Sequence, residues 1–444
     1  MSADFSKEPT LRVGVLNAPT IAVHLHGKYT LADNTEVEGE IRFDMADNQV
    51  VWNGVSYPNI LFKATTPECR FEIHDVIIGV NFHWERRENQ VFAGDLEMLI
   101  EKGMLTAVNI IGVEQYLKSV ISSEMSATAN ENLLRAHAII SRSWLLAQID
   151  KHSGITSGTV DACPMTITDT EICRWMDRED HELFDVCADD HCQRYQGVTR
   201  QTTNTVEEAV EATRGMILTD RDGHICDARF SKCCGGVFEE FESCWEPKHY
   251  HYLEAARDGE QPAAYPDLTI EENARQWILT SPEAFCNTDD AEILGQVLNN
   301  YDQETADFYR WTVEYTQEEI AELIHRRSGI DYGGIIALEP VVRGTSGRIV
   351  QLRIKGTKRN MLIGKELEIR RTLSNSHLYS SAFVVIPGPT GSDGLPKGFC
   401  LRGAGWGHGV GLCQIGAAVM GAKGYTYDKI LGHYFHGSVI SKLY

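Results

Sequence analysis

Between residues 10 and 110 apolar positions alternate with polar ones in short runs. "LRVGVL", "IAVHLHG", "IRFDM", "QVVWNGVSY" and "FEIHDVIIGV" are each bounded by Gly, Asn or Asp, and they read as β-strands. "KGMLTAVNII" reads as one more. At Val113 the period changes. "VEQYLKSVISSEMS" places Val113, Leu117, Val120 and Ile121 on one helical face. A turn at "SATAN" separates it from a long helix, "ENLLRAHAIISRSWLLAQIDKHSG". This second helix carries Leu134, His137 or Ala138, Ser141, Leu145 and Ile149 along one side, with Gly154 just past its end.

Downstream the pattern is mixed. Residues 155–200 read as loops, and "TNTVEEAVEATRGMIL" as a helix running into a strand. "HICDARFSKCCGGVFEEF" predicts a strand pair around Gly235 and Gly236. Residues 245–330 are polar with helical pieces, "PEAFCNTDD" and "TQEEIAELIHRRSG" among them. "IIALEPVVRG", "GRIVQLRIKG" and "SAFVVIPG" return to strands. "QIGAAVMGAKG" and "TYDKILGHYFHG" close the chain as helices. The expected fold is therefore α+β. A β-rich part (1–110) leads into a helical region (111–244), an α+β insertion (245–395), and a C-terminal loop with helices (396–444) that completes the second region.

Composition narrows the function. With 444 residues, 43% of them hydrophobic, the chain can bury a sizeable core. A net charge of −22 excludes broad nucleic-acid binding, which needs a basic footprint. No apolar run reaches the length of a membrane span. "MSADFSKEPTLRVGVL" lacks a basic segment followed by an apolar one, so no signal peptide is visible. Either the protein stays in the cytoplasm or its start has been trimmed. Twelve cysteines occur without a C-x-x-C pair. In a reducing compartment, clustered cysteines favour metal or burial over disulfides.

Four places carry candidate chemistry. Glu124 lies in "SVISSEMSA" among apolar residues, a setting in which a carboxyl can act as a general acid; the alternative is a surface Glu near a helix end. Arg142 sits mid-helix beside the apolar stripe. Such an Arg pairs with a carboxylate, holds an anionic substrate group, or snorkels to the surface. "HELFDVCADDHCQRYQG" holds His181, Cys187, His191 and Cys192, a donor set suited to tetrahedral zinc, with Cys163 or Cys173 able to replace one histidine. The fourth is "GAGWGHGVGLCQIGA", from Gly403 to Ala417. Its apolar side chains argue against a flexible linker. Its alternating Gly403, Gly405 and Gly407 break the G-x-G-x-x-G spacing. A packed glycine-rich turn around one imidazole, His408, suggests the wall of a site.

Taken together, these segments resemble the SpoIID/LytB family. The resemblance runs from about residue 10 to the end. It rests on "YLKSVISSEMS", "LLRAHAIISRSWLL", "DDHCQRYQG", "FSKCCGGVFE" and, most specifically, "GWGHGVGLCQIGAAVMGAKGYTYDKILGHYFHG". It implies a bacterial cell-wall function: lytic transglycosylases cutting peptidoglycan glycan strands, or non-catalytic amidase enhancers. It implies a location in the cell envelope, glycan strands as partners, and a cell-wall amidase as a further partner for the enhancer type. Region 111–244 becomes the catalytic part, with Glu124 as its acid and base. One structural zinc would sit on His181, Cys187, His191 and Cys192. Arg142, Gln193, Tyr195, His408 and Gln414 are expected to line the cleft. The chain departs from the family pattern at Ser126, in place of Pro. It departs again around Arg142, at Ser141, Ser143 and Trp144, and in the glycine-rich loop at Cys413 and Ile415, in place of Ser and Tyr.

Overall fold

The computed structural model describes residues 5–78, 86–126, 129–156, 165–174, 181–189, 192–200, 204–260, 264–297 and 307–444. The fold is α+β. The chain divides into two compact units. One comprises Ser2–Arg142, Asp180–Ile217 and Lys442–Tyr444, the other Ser143–Glu179 and Leu218–Ser441.

The first unit is built on a large sheet. Its strands are β1 (Thr10–Ala18), β2 (Ile21–Thr30), β3 (Glu36–Ala46), β4 (Gln49–Trp52), β5 (Val55–Tyr57), β6 (Asn59–Ala64), β7 (Arg70–Ile78), β8 (Arg86–Ala93), β9 (Asp95–Glu101) and β10 (Met104–Gly112). The order is β1-β10-β9-β6-β2-β3-β4-β5. A short strand, Val186–Cys187, lies outside β1, and β7 bridges β2 and β8. The alternation that predicts these strands is broken once in an informative way. Phe71 and Ile73 are buried, then Val76 and Ile78. The parity flips because Asp75 takes a positive φ of 54° and bulges the strand between Ile73 and Val76.

The chain passes from β10 straight into α1 (Val113–Glu124), then α2 (Glu131–Thr156) and, later, α3 (Asn204–Ala212). Val113, Leu117, Val120 and Ile121 are all fully buried, as the helical spacing predicts. From Leu133 to Leu146 α2 is buried on nearly every side, a wider face than the stripe read from its sequence. It also continues two residues past Gly154.

In the second unit, antiparallel strands Ile335–Arg343, Ile349–Gly356 and Asn360–Gly364 are extended by Glu171–Cys173 and Thr166–Ile167. Arg310–Thr316, Gly398–Ala404 and Phe383–Pro387 form a separate antiparallel trio. Between them lies the helix Gln317–Ser328. It starts on a reciprocal cap between Thr316 and Glu319 and stops at Gly329, φ 72°. Its Ile320, Leu323 and Ile324 pack with Trp311, Ile335, Leu352, Ile354, Phe399 and Leu401.

Two expectations fail here. "PEAFCNTDD" forms no helix. It is a loop held by Phe285 N–H to the Asp258 carbonyl (2.8 Å) and by the Asn287 amide to Ser281 and Pro282. Nor do the residues around Gly235 and Gly236 pair with one another. Phe230–Ser231 runs parallel to Leu412–Cys413, and the two glycines turn the chain away at φ 80° and 105°.

Candidate active site and metal clusters

Glu124 is the last residue of α1, in the first unit, and is half-buried. Behind it the helix is fixed by a polar network. Glu114, in the first turn, accepts Arg142 Nε (3.0 Å) and Nη2 (2.6 Å), Gly215 N–H (3.1 Å) and Tyr444 Oη (2.7 Å). Arg142 also donates Nη1 to the Met216 carbonyl at 2.9 Å. Both side chains of this ion pair are buried, at 0% and 3% exposed. Arg142, expected among the cleft residues, thus pairs with a buried carboxylate of its own chain, one of the alternatives its sequence position leaves open.

Gln193 and Tyr195 are buried as well. Tyr116 donates to Gln193 Oε1 at 3.3 Å, and Gln193 Nε2 donates to the Ser141 carbonyl at 3.3 Å. Tyr195 donates to Asn109 at 2.6 Å and stacks on Tyr116 with ring centres 5.0 Å apart. Their setting is the interior, between β10, α1 and α2, rather than a glycan-binding surface. Burial pushes the Tyr116 phenol well above its usual range, and Cys192, Cys187, Tyr195 and Glu124 nearby push the same way.

The cysteine-bearing loop carries the predicted metal ligands. Ligand atoms of His181, Cys187 and Cys192 lie within 4.8 Å of one another. Cys192 Sγ is 3.5 Å from His181 Nε2 and accepts Cys187 N–H at 3.4 Å. His191 lies outside the described residues, as does Cys163. Cys173 belongs to the other unit, in the strand Glu171–Cys173. An imidazole and two thiols suit a borderline-soft cation such as zinc. From Cys192 the chain runs directly to Gln193 and Tyr195, which contact Tyr116 of α1 and, through Gln193, the Ser141 carbonyl of α2, so whatever fixes the loop also fixes that packing.

His408 and Gln414 belong to the second unit. Gly405, Gly407, Gly409 and Gly411 all have φ between 71° and 93°. A Cβ at Gly409 would sit 2.3 Å from Arg348 Cζ, and one at Gly411 2.2 Å from the Arg229 carbonyl. The loop wraps the buried Arg348, which donates to the carbonyls of Gly407 and Cys234 and to Ser346 Oγ. His408 is half-buried, packs edge-on to Trp245 at 4.7 Å, and accepts Val410 N–H at Nδ1 (3.0 Å). Burial, then the charges of Arg229, Arg348 and Arg370, hold it well below its usual pKa, so it is neutral at pH 7. Gln414 is buried at the start of the helix Gln414–Ala422 and, like Arg142, faces no open surface.

Residues 101–219 match the family model described as "Stage II sporulation protein". This segment is similar to the SpoIID family. The match spans α1, α2 and the cysteine loop. Residues 239–411 match a second family, described as a domain of unknown function. Among individual proteins, the chain is 23% identical to "Stage II sporulation protein D" of Bacillus subtilis (strain 168) over 338 residues, 76% of each chain. It is 24% identical to "Amidase enhancer" of the same organism over 338 residues, 73% of this chain but 40% of that protein.

The chain holds a further cluster that sequence reading missed. In the second unit, Cys234, Asp258, Cys286 and Cys413 bring their ligand atoms within 4.8 Å of one another. All four are buried. Burial raises the thiols of Cys233, Cys234 and Cys286. At Cys413 burial acts in the same sense, but hydrogen bonds from those three outweigh it and the thiol is held well below its usual value. The doublet Cys233-Cys234 was the available sequence signal, but its partners are far away along the chain. Among the described residues, no helix is long and apolar enough to cross a membrane.

Proposed function

We propose that this chain is a peptidoglycan lytic transglycosylase, acting at the cell envelope on strands of alternating MurNAc and GlcNAc stripped of peptides. Its relatives of the SpoIID family support a function connected with the cell wall. The observation that carries the finer reading is the position of Glu124: half-exposed, at the end of an otherwise buried helix, inside the segment that matches the family.

One carboxyl is sufficient for this reaction. Glu124 gives its proton to the glycosidic oxygen as the bond from C1 breaks. The sugar's own 6-hydroxyl bonds to C1 and returns its proton to Glu124, leaving a 1,6-anhydro end. A hydrolase would need a second carboxylate to activate water. In this reading Arg142, Glu114, Tyr116, Gln193 and Tyr195 are positioning residues that fix α1 from behind. A zinc on His181, Cys187 and Cys192 would be structural, holding the loop that delivers Gln193 and Tyr195.

The similarity to an amidase enhancer supports a second reading, in which the same domain docks on wall polymer and stimulates an amidase without cutting glycan. A digest of denuded glycan read by mass spectrometry separates the two. The transglycosylase reading expects anhydro-muramic ends from the wild type and their loss in Glu124→Gln. The variant cannot cycle a proton, and general acid–base catalysis is commonly worth about 10²–10⁴-fold. Reducing ends would indicate a hydrolase. Equal cleavage by both proteins would remove Glu124 from the mechanism, and no cleavage by the wild type would favour the enhancer.

A further inference from the structure

We propose that Cys234, Asp258, Cys286 and Cys413 form a closed site for one divalent transition metal of the zinc class. It is separate from the His181 cluster and buried in the second unit.

Four segments distant in sequence converge there. Cys234 follows the strand Phe230–Ser231, Asp258 and Cys286 lie on two loops, and Cys413 precedes the helix Gln414–Ala422. Their exposures run from 0% to 2%. Cys234 Sγ lies 3.5 Å from Cys286 Sγ and 3.5 Å from Asp258 Oδ2. The sulfur separation is far beyond a disulfide bond of about 2.05 Å. It is close to the tetrahedral edge of about 3.8 Å that follows from a zinc–sulfur bond of about 2.3 Å.

The surroundings are those of bound thiolates rather than of an ordinary core. Cys413 Sγ accepts the Cys234 N–H at 3.2 Å, and Cys234 Sγ accepts the Gly236 N–H at 3.4 Å. The second of these requires the chain to double back through Gly235 and Gly236, both at positive φ. Asp258 is oriented from outside the cluster. Its Oδ1 accepts Tyr434 Oη (2.9 Å) and faces His433 Nε2 (3.4 Å), while Oδ2 accepts Cys286 N–H (3.0 Å) and points at the thiols. Support of this kind behind each ligand is what metal sites use to fix ligand direction.

Carboxylate and thiolate ligands packed together in a dry core are stabilised by a cation, and a divalent ion offsets two of their four charges. As the metal enters, each ligand thiol that still carries a proton releases it to solvent. With four protein ligands the site has no open position, so its role is structural. It adds a cross-link between the start of the helix Gln414–Ala422 and three segments that already meet through backbone hydrogen bonds, among them Ile415 N–H to the Lys232 carbonyl and Asp258 N–H to the Gly236 carbonyl.

The test reads metal, not glycan cleavage, so it is independent of the proposed activity. The Cys187→Ser/Cys192→Ser variant, stripped of two ligands of the other cluster and purified without added metal, is expected to retain one zinc per chain by elemental analysis. Adding Cys286→Ser is expected to remove it. Exchange of cobalt(II) into the Cys187→Ser/Cys192→Ser protein should give thiolate-to-cobalt charge-transfer bands with tetrahedral d–d absorption. This readout needs no substitution in the core. Zinc absent from the Cys187→Ser/Cys192→Ser protein, cobalt bound without thiolate bands, or a Cys234–Cys286 disulfide in peptides of the folded wild type would each overturn the assignment.

Discussion

Replacing Arg142 by Met separates a structural arginine from a substrate ligand. Met fills much of the same volume but leaves Glu114 charged and buried, with only Gly215 N–H and Tyr444 Oη to hold it. The Met216 carbonyl also loses its donor. Removing one partner of a buried pair typically costs about 3–5 kcal/mol. The two remaining neutral donors on Glu114 favour the lower part of that range, about 3–4 kcal/mol. For a unit of this size each kcal/mol moves the melting midpoint by about 2–4 °C, so the first unit should melt about 6–16 °C lower.

Adding Glu114→Gln removes the stranded charge and keeps an oxygen for Gly215 and Tyr444. The double variant should recover roughly half of the loss, because the penalty is chiefly an unpaired charge in a dry interior. Calorimetry of the two single variants and the double variant measures this coupling. An Arg142→Met protein that melts within about 2 °C of wild type yet cuts no glycan would refute the reasoning and return Arg142 to the substrate.

Gly409→Ala should cost more than Gly424→Ala. Both have positive φ, a strain of about 1–2 kcal/mol for an L-residue, but a Cβ at 409 also strikes the fixed Arg348 guanidinium whereas 424 faces open space; denaturation midpoints of the two variants decide it. His408 titrates below its unfolded-state pKa of about 6.5, so the unfolded chain binds its proton first. Its contribution should be complete above pH 6.5 and decline as pH falls toward the depressed value. Melting curves from pH 8 to 5 should show this acid slope, and His408→Asn should flatten it. If instead His408→Ala melts like wild type and loses turnover, the residue serves the reaction.

Local features were legible in the sequence. α1 and the capped helix Gln317–Ser328 follow from helical spacing and end signals within a few residues. The glycine-rich loop announces close packing because nothing but glycine allows positive φ beside Arg348 and the Arg229 carbonyl. What escaped is long-range. Arg142 was visible as an unusual mid-helix cation, but its partner stands 28 positions earlier, in the first turn of a helix read only for its apolar face. Cys234 and Cys413 are 179 positions apart, so neither reads as half of a cluster. Gln193 and Tyr195 were noticed through resemblance, which says nothing of the direction a side chain faces. The loop at "PEAFCNTDD" misled because its few apolar residues mimic a helical turn, while its backbone is held from outside by Asp258.

Tyr444 gives the first unit a dependence on time. Its hydroxyl reaches Glu114 across 330 positions of chain, and Leu443 N–H bonds the Gly215 carbonyl in the same place. Protein chains leave the ribosome in order, at about 5–20 residues per second. Arg142 is therefore made roughly 15–60 s before the tyrosine that completes its network with Glu114. During that interval the helix that ends in Glu124 is held by an unfinished set of bonds. Until Leu443 and Tyr444 are made, the nascent unit lacks these two bonds at Gly215 and Glu114.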